Sequence, residues 1–380
     1  MGFLDDYRAY TDYDWYPPSF HRALGMLLVG LAVGRRAWVQ DGRWPVYPLM
    51  HVIMIADSGV GKGACVEVMY RVQREGLPGL IVARKEGSAA GLLKRLPVEN
   101  GRQVSPLLIE AAEMTTLLNR MDYLSNMIPV LTELADNNRY GKSLKDGFVD
   151  IEDIQTSLVL GTNERALRER FSSSIIEEGL ASRLTWLTAR WEPKPIVRRP
   201  DSDEEVEGAR QCAVAGLSKL GKLSGPVQLD GPATNWFASW QAEWDSGPPA
   251  DRQLSGYYSR RYIHLLRAAL TFSLSDYRLV IGEADMVAAW EWVRGTERQM
   301  LEVFGSLRLS AYGKWEEGVY DWLAGKQGGA TWTEIYREWN GRLAGKESVR
   351  RLMESLEQAG RVRQARTERG GGVRWQAMTT

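Results

Sequence analysis

Residues 49–63 read Leu-Met-His-Val-Ile-Met-Ile-Ala-Asp-Ser-Gly-Val-Gly-Lys-Gly, and this stretch decides the fold. The apolar run 49–55 stops abruptly at small and polar residues, the pattern of a strand buried on both faces within a parallel sheet. Asp57, Ser58, Gly59, Val60, Gly61, Lys62, Gly63 and Ala64 then make a glycine turn that opens a helix over 62–75. In that context glycines let backbone amides converge on phosphate oxygens, the helix N-terminus adds partial positive charge, and a lysine neutralises the outer phosphates. The spacing approximates G-x-x-x-x-G-K-[ST], with Ala56 in place of the first glycine and Gly63 in place of the hydroxyl that would hold Mg²⁺. The alternative is an ordinary turn between strand and helix.

Outward from this loop the chain alternates: a strand at 79–83, a helix at 88–96, a strand at 106–110, a helix at 113–124, a strand at 157–162, a helix at 164–170 and a strand at 183–188. Such alternation implies a doubly wound α/β sheet. Residues 106–113, PLLIEAAE, are an apolar strand ending in carboxylates. Glu110 is placed on the metal side and Glu113 is assigned to activate water, as phosphoryl-transfer chemistry requires; alternatively, Glu113 merely starts a helix, where acid is favourable. Asn163 ends the next strand and is a candidate sensor of the terminal phosphate, or simply the N-cap of the following helix. In Gly179-Leu-Ala-Ser-Arg183, Arg183 is a candidate arginine finger reaching a neighbouring subunit's site, with a surface salt bridge as the alternative. A finger acting in trans implies a closed ring. Arg260 or Arg261 is a candidate second sensor, and Arg261 is the one assigned to the nucleotide.

The flanks divide the chain into a helical lead-in over 1–45, the α/β core over 46–191, a charged proline-containing linker over 192–207, an all-helical lid over 208–308 and a tail module over 312–380. Formal net charge is zero, with 48 basic and 48 acidic residues, so any affinity for nucleic acid must come from local patches. Two cysteines, Cys65 and Cys212, without metal-ligand spacing argue against a disulfide framework or a zinc site. The apolar run Ala23–Val33 ends at Arg35 and Arg36 and falls short of the roughly 20 residues of a membrane span, which leaves it as a core helix. No signal peptide is visible, and a cytoplasmic protein with no membrane partner is expected.

In the tail, Thr331 and Glu334 form a capping-box pattern and Gly360 closes a helix over 347–359. Three helices followed by strands at 361–366 and 373–378 around a TERGGG turn make a winged helix. Lys346, Arg350 and Arg351 sit at the start of its third helix, and Arg363, Arg366, Arg369 and Arg374 on the wing. These are candidate contacts to DNA, where phosphates supply affinity without sequence choice; a protein-docking module is the alternative.

Taken together these motifs resemble the phage- and plasmid-type primase–helicase ATPases and, more distantly, the D5-like and minichromosome-maintenance helicases. The similarity covers roughly residues 1–305: VYPLMHVIMIADSGVGKG resembles the family's strand and phosphate loop, LIEAAEMTTLL its strand–acid–helix segment with the glutamate at Glu113, SLVLGTNERALRERFSSSIIEEGLASRLTWL its sensor strand and glycine–Ser–Arg turn, and YSRRYIHLLRAALTFSLS its helical lid. The resemblance implies an AAA+-like α/β P-loop NTPase core with a helical lid and a C-terminal winged helix. It further implies a hexameric ring that uses ATP and Mg²⁺ to unwind or translocate along single-stranded or forked DNA in replication. Ala56, Gly63 and the separated acids depart from the family pattern, and no priming motif is present. Other readings are a nucleotide-gated loader, partition or defence ATPase that unwinds nothing, a nucleotide kinase, and a DNA-binding regulator with an inactive core.

Overall fold

The residues described in this computed structural model are 2–84, 89–111, 114, 121–144, 147–170, 179–190, 203–244, 255–326, 328–343, 345–358, 360–366 and 373–378. In chain order the helices are α1 (Phe3–Thr11), α2 (Pro18–Val33), α3 (Lys62–Gly76), α4 (Ala89–Leu93), α5 (Met121–Ala135), α6 (Glu164–Arg170), α7 (Asp203–Leu220), α8 (Gly231–Trp244), α9 (Ser255–Tyr258), α10 (Arg261–Ser275), α11 (Glu283–Ala324), α12 (Trp332–Trp339) and α13 (Lys346–Gln358). The strands are β1 (Ala37–Asp41), β2 (Trp44–Val46), β3 (His51–Ile55), β4 (Ile81–Arg84), β5 (Val98–Glu99), β6 (Arg102–Gln103), β7 (Leu107–Ala111), β8 (Tyr140–Leu144), β9 (Gly147–Ile151), β10 (Thr156–Thr162), β11 (Thr185–Thr188), β12 (Gly225–Leu229), β13 (Val280–Ile281), β14 (Ala330–Thr331), β15 (Val362–Arg366) and β16 (Val373–Ala377). The chain divides into two units, Met1–Leu301 and Glu302–Thr380.

Five strands of the first unit form one sheet in the order β11–β3–β10–β7–β4, with every neighbouring pair parallel. All residues of β3 and β10 are buried, as the near-continuous apolar runs require of central parallel strands. Because the strands run the same way, their carboxyl ends share one edge, where ligands of open α/β sheets bind. Immediately before this sheet, α2 is buried along nearly its whole surface. Pro18 opens it at a position where the missing N–H costs nothing and the fixed φ suits a helix. The Ala23–Val33 run is thus a core helix, and no helix among the described residues is long and apolar enough to cross a membrane.

Two expectations are corrected. The segment 208–308 is not all helical, because it holds β12 and β13. These extend a second sheet, β13–β12–β1–β2, in which Ala37, Trp38 and Val39 pair in parallel with Gly225, Pro226 and Val227. The lead-in and the segment expected to form a lid therefore share one layer, with α1 lying against α7 and one apolar core running from Phe3 through α2 to Met286. Each of these strands buries a single residue, so neither shows an apolar run or alternation that would stand out between long helices. The other correction concerns 283–304 and 315–324, which belong to a single 42-residue helix, α11, with no break between them. The linker prediction over 192–207 falls mostly outside the described residues.

In the second unit, α12, α13 and the end of α11 surround a core of Val319, Leu323, Ile335, Val349, Leu352, Met353, Leu356 and Trp375. An antiparallel sheet, β14–β16–β15, closes it. The capping box is formed: the Glu334 amide donates to Thr331 Oγ1 at 3.3 Å, and the Thr331 amide donates to Glu334 Oε2 at 2.8 Å.

Candidate functional site

The glycine loop sits at the carboxyl edge of the sheet, between β3 and α3. Gly59 and Gly61 adopt φ of 88° and 107°, a region that L side chains avoid, so glycine is required at both positions. Ala56 has no such φ, so the glycine expected there is not needed by the backbone. The Lys62 ammonium folds back onto the loop, donating to the carbonyls of Ala56 and, at 3.2 Å, of Asp57. Among the described residues no protein acceptor takes the amides of Ser58, Gly59, Gly61 or Gly63. Four backbone donors beside an ammonium at a helix N-terminus are chemically able to accept an anion. A Cβ built on Gly63 meets nothing within 4 Å, so the place of the expected hydroxyl is open. A Cβ on Gly61, by contrast, would overlap the Tyr16 ring, 2.9 Å from Cε1 and 3.1 Å from Cγ. Tyr16 had no sequence signal; it comes from the loop between α1 and α2.

Glu110 does not fit the metal role assigned to it. It is paired twice: the Tyr70 hydroxyl donates to its Oε2 at 2.5 Å, and Arg84 Nε lies 2.9 Å from the same oxygen. Burial and this bond to Glu110 push the Tyr70 hydroxyl well above its ordinary range. Register explains the misplacement. Val159 pairs with both Val52 and Glu110, so Glu110 is level with Val52. That is three residues, roughly 10 Å, short of the end of β3. Glu113 lies outside the described residues.

Asn163 caps α6: its Oδ1 accepts the Ala166 amide at 2.8 Å. Its position follows Thr162, which pairs with Ile55 at the end of β3, so it stands at the same edge as the glycine loop.

Arg183 stands at the opposite edge. It lies in a 3-10 turn before β11, whose first residue, Thr185, pairs with Val52. Its guanidinium grips Asp136 through Nε at 2.8 Å and NH2 at 2.6 Å, and donates to the Gly179 carbonyl at 2.7 Å. Arg260 reaches the same carboxylate at 3.0 Å. Burial alone would raise the Asp136 carboxyl, but the Arg183 fork, helped by Arg260, holds it below the ordinary carboxylate range. Arg267 stands beside this cluster, brought down to about 10 by burial and by Arg260, with Nε enclosed and unpartnered among the described residues. Beneath it, His264 donates to the Ser182 carbonyl at 2.9 Å and stacks on Tyr257, and burial pushes its pKa down to about 4. Two arginines thus share one carboxylate, with a third, Arg267, near enough to feel its charge. Nothing in the sequence around Asp136 marks it, because its partners come from segments over 40 residues away.

Arg261 is not turned to the glycine loop. It is paired with Glu297 and lies over the Tyr258 ring at 4.6 Å, which accounts for its charge without a ligand.

In the second unit Lys346 opens α13, and Arg350 and Arg351 are exposed on it. Both pair with Glu347, Arg350 at 2.7 Å and Arg351 at 3.5 Å, and Arg350 also approaches Glu354 at 3.8 Å. The basic character of this helix is therefore partly offset along its own surface. Arg363 is exposed on β15, and Arg374 on β16 contacts Glu334 at 3.3 Å. The Arg366 side chain and all of Arg369 lie outside the described residues.

No protein-family model matches the sequence, and no curated protein matches it.

Proposed function

We propose that this chain is an ATP-dependent DNA helicase or translocase of the AAA+-like P-loop type that works as a ring, with the second unit as a winged-helix DNA-binding module. One observation carries the reading. The Asp57–Gly63 segment opens at the carboxyl edge of a parallel sheet with four amides that have no acceptor among the described residues and an ammonium, the arrangement that suits the terminal phosphates of ATP with Mg²⁺. Asn163 at the same edge suits a sensor through its remaining amide group, and the water-activating role falls to Glu113. Arg183, at the other edge, is too far to serve its own loop and suits a neighbour's, which favours a ring.

The test is ATP turnover with and without single-stranded DNA, alongside mass photometry. DNA-stimulated hydrolysis that disappears in Lys62→Ala and in Arg183→Ala, in a species larger than a monomer, is the expected result. Absence of nucleotide binding by the wild-type chain would refute the reading. A second reading is favoured by Gly63 and by the self-paired arginines of α13: a nucleotide-gated DNA-binding ATPase that does not unwind. ATP binding without DNA-stimulated turnover selects it.

A further inference from the structure

Helix α11 belongs to both units: it spans Glu283–Ala324, and the units divide between Leu301 and Glu302. Gln299, half-buried just before that boundary, ties the helix to the central sheet. Its carboxamide oxygen accepts the Thr188 amide at 2.6 Å, with the Thr188 hydroxyl 3.4 Å from the same oxygen. Thr188 ends β11, the outer strand on that side of the sheet, so its amide turns away from β3 and takes its acceptor from a helix. The next amide turns inward: Ala189 donates to the Ile55 carbonyl at 3.0 Å. Ile55 leads into Ala56, whose carbonyl holds the Lys62 ammonium. Two consecutive amides at the end of β11 therefore join α11 to the strand that opens the glycine loop.

This arrangement has two states with different contacts. Without an anion, Lys62 is engaged by the carbonyls of its own loop, and four loop amides have no acceptor among the described residues. With an anion on those amides, the ammonium leaves Ala56, and the loop and the end of β3 become ordered around the ligand. Ordering one end of a hydrogen-bonded run lowers the cost of ordering the other, so the Gln299–Thr188 bond is then made more of the time. We propose that Gln299 is a positioning residue that couples occupancy of the glycine loop to the stretch of α11 in the second unit. The two-state element is the Gln299–Thr188 bond, made or broken, and both ends bias it. This inference rests on the proposed phosphate site and adds the route by which a ligand there is felt beyond Leu301.

Hydrogen exchange of the full chain, read by mass spectrometry over residues 302–324 with and without ATP and Mg²⁺, tests the coupling, with ATP binding followed by calorimetry. ATP is expected to slow exchange there by about fivefold or more, the lower end of ordinary coupling between sites. Two variants break the same bond from opposite sides. Gln299→Leu removes the acceptor. Thr188→Pro removes the donor, and proline is tolerated on an edge strand where the N–H faces outward. Each should still bind ATP, and each should lose the ATP-dependent slowing. A glutamine that only satisfies an edge donor gives a different result: faster exchange in Gln299→Leu with and without ATP alike, and the ATP-dependent difference intact. That result, or exchange in the wild-type chain that ATP does not change, overturns the coupling while the phosphate site stands. Failure of the wild-type chain to bind ATP overturns the phosphate site itself, and this inference with it.

Discussion

Replacing Gly61 by alanine tests the loop and its Tyr16 wall in one cycle. Two separable costs arise. The backbone at φ 107° is unfavourable for a residue with a Cβ, at roughly 1–2 kcal/mol. The new methyl also overlaps the Tyr16 ring, which must move, and overpacking of this sort costs about 1–3 kcal/mol. Gly59 supplies the control. Its φ is 88° but a Cβ there meets nothing within 4 Å, so Gly59→Ala bears only the backbone cost. Urea unfolding of the full chain should therefore show Gly61→Ala destabilised by about 2–5 kcal/mol and Gly59→Ala by only about 1–2 kcal/mol. In a Tyr16→Ala background the overlap vanishes, and the two alanine substitutions should become equal within about 0.5 kcal/mol. The reasoning fails if the single variants are equally destabilised, or if removing Tyr16 leaves their difference intact.

Asp136→Asn leaves Arg183, Arg260 and Arg267 facing one another, whereas Arg183→Gln leaves Asp136 still paired with Arg260. With Asp136 about 30% exposed, well short of full burial, the first should cost about 2 kcal/mol in urea unfolding and the second less. Gly63→Ser enters open space in the first turn of α3 and should stabilise by about 0.5 kcal/mol on helix propensity; on the proposed function it also raises Mg²⁺-dependent turnover, and a variant no faster than wild type argues against hydroxyl ligation at that position. His264 is held neutral down to about pH 4, whereas the unfolded chain protonates it near 6.5. Stability should thus fall with pH between those values, by up to about 3 kcal/mol, and His264→Asn should flatten the slope measured by urea midpoints. A 1:1 mixture of Lys62→Ala and Arg183→Ala subunits should recover activity, because about a quarter of the interfaces then join an intact loop to an intact arginine; no recovery would place Arg183 outside a neighbour's site.

The central sheet was legible because its strands are apolar runs cut by turn residues: the bounds expected for β3, β7, β10 and β11 lie within two residues of those observed. The glycine loop was legible for the same reason, since its backbone demands glycine locally at 59 and 61. What escaped depends on residues remote in sequence. The pairing of β1 with β12 joins residues 37–39 to 225–227, and neither strand is a continuous apolar run, with two and one buried positions against five in β3. Glu110 looked like a site acid because it ends an apolar run, but only the register to Val159 shows it too low in the sheet, and only the fold brings Tyr70 and Arg84 to it. Asn163 and Arg183 each took up the structural role that had stood as the alternative, a cap and an ion pair.

Sheet polarity decides what those roles leave open. A parallel strand has two unlike ends, and this chain puts its glycine loop at one and its arginine cluster at the other. β3 runs from His51, beside Asp136 and Arg267, to Ile55, which leads into the glycine loop. Four residue steps separate the two, ~13 Å along the strand before any side chain is added. An arginine at the amino edge cannot contact a phosphate held at the carboxyl edge of the same sheet without rebuilding β11. The ion pair with Asp136 therefore does not compete with a role for Arg183 at its own loop, because geometry already forbids that role. It competes only with an anion arriving from outside the chain. Asp136 is then the group that sets how strongly such an anion must bind to draw Arg183 away, and two guanidinium groups on one carboxylate, with Arg267 close by, leave positive charge in excess for an anion to meet.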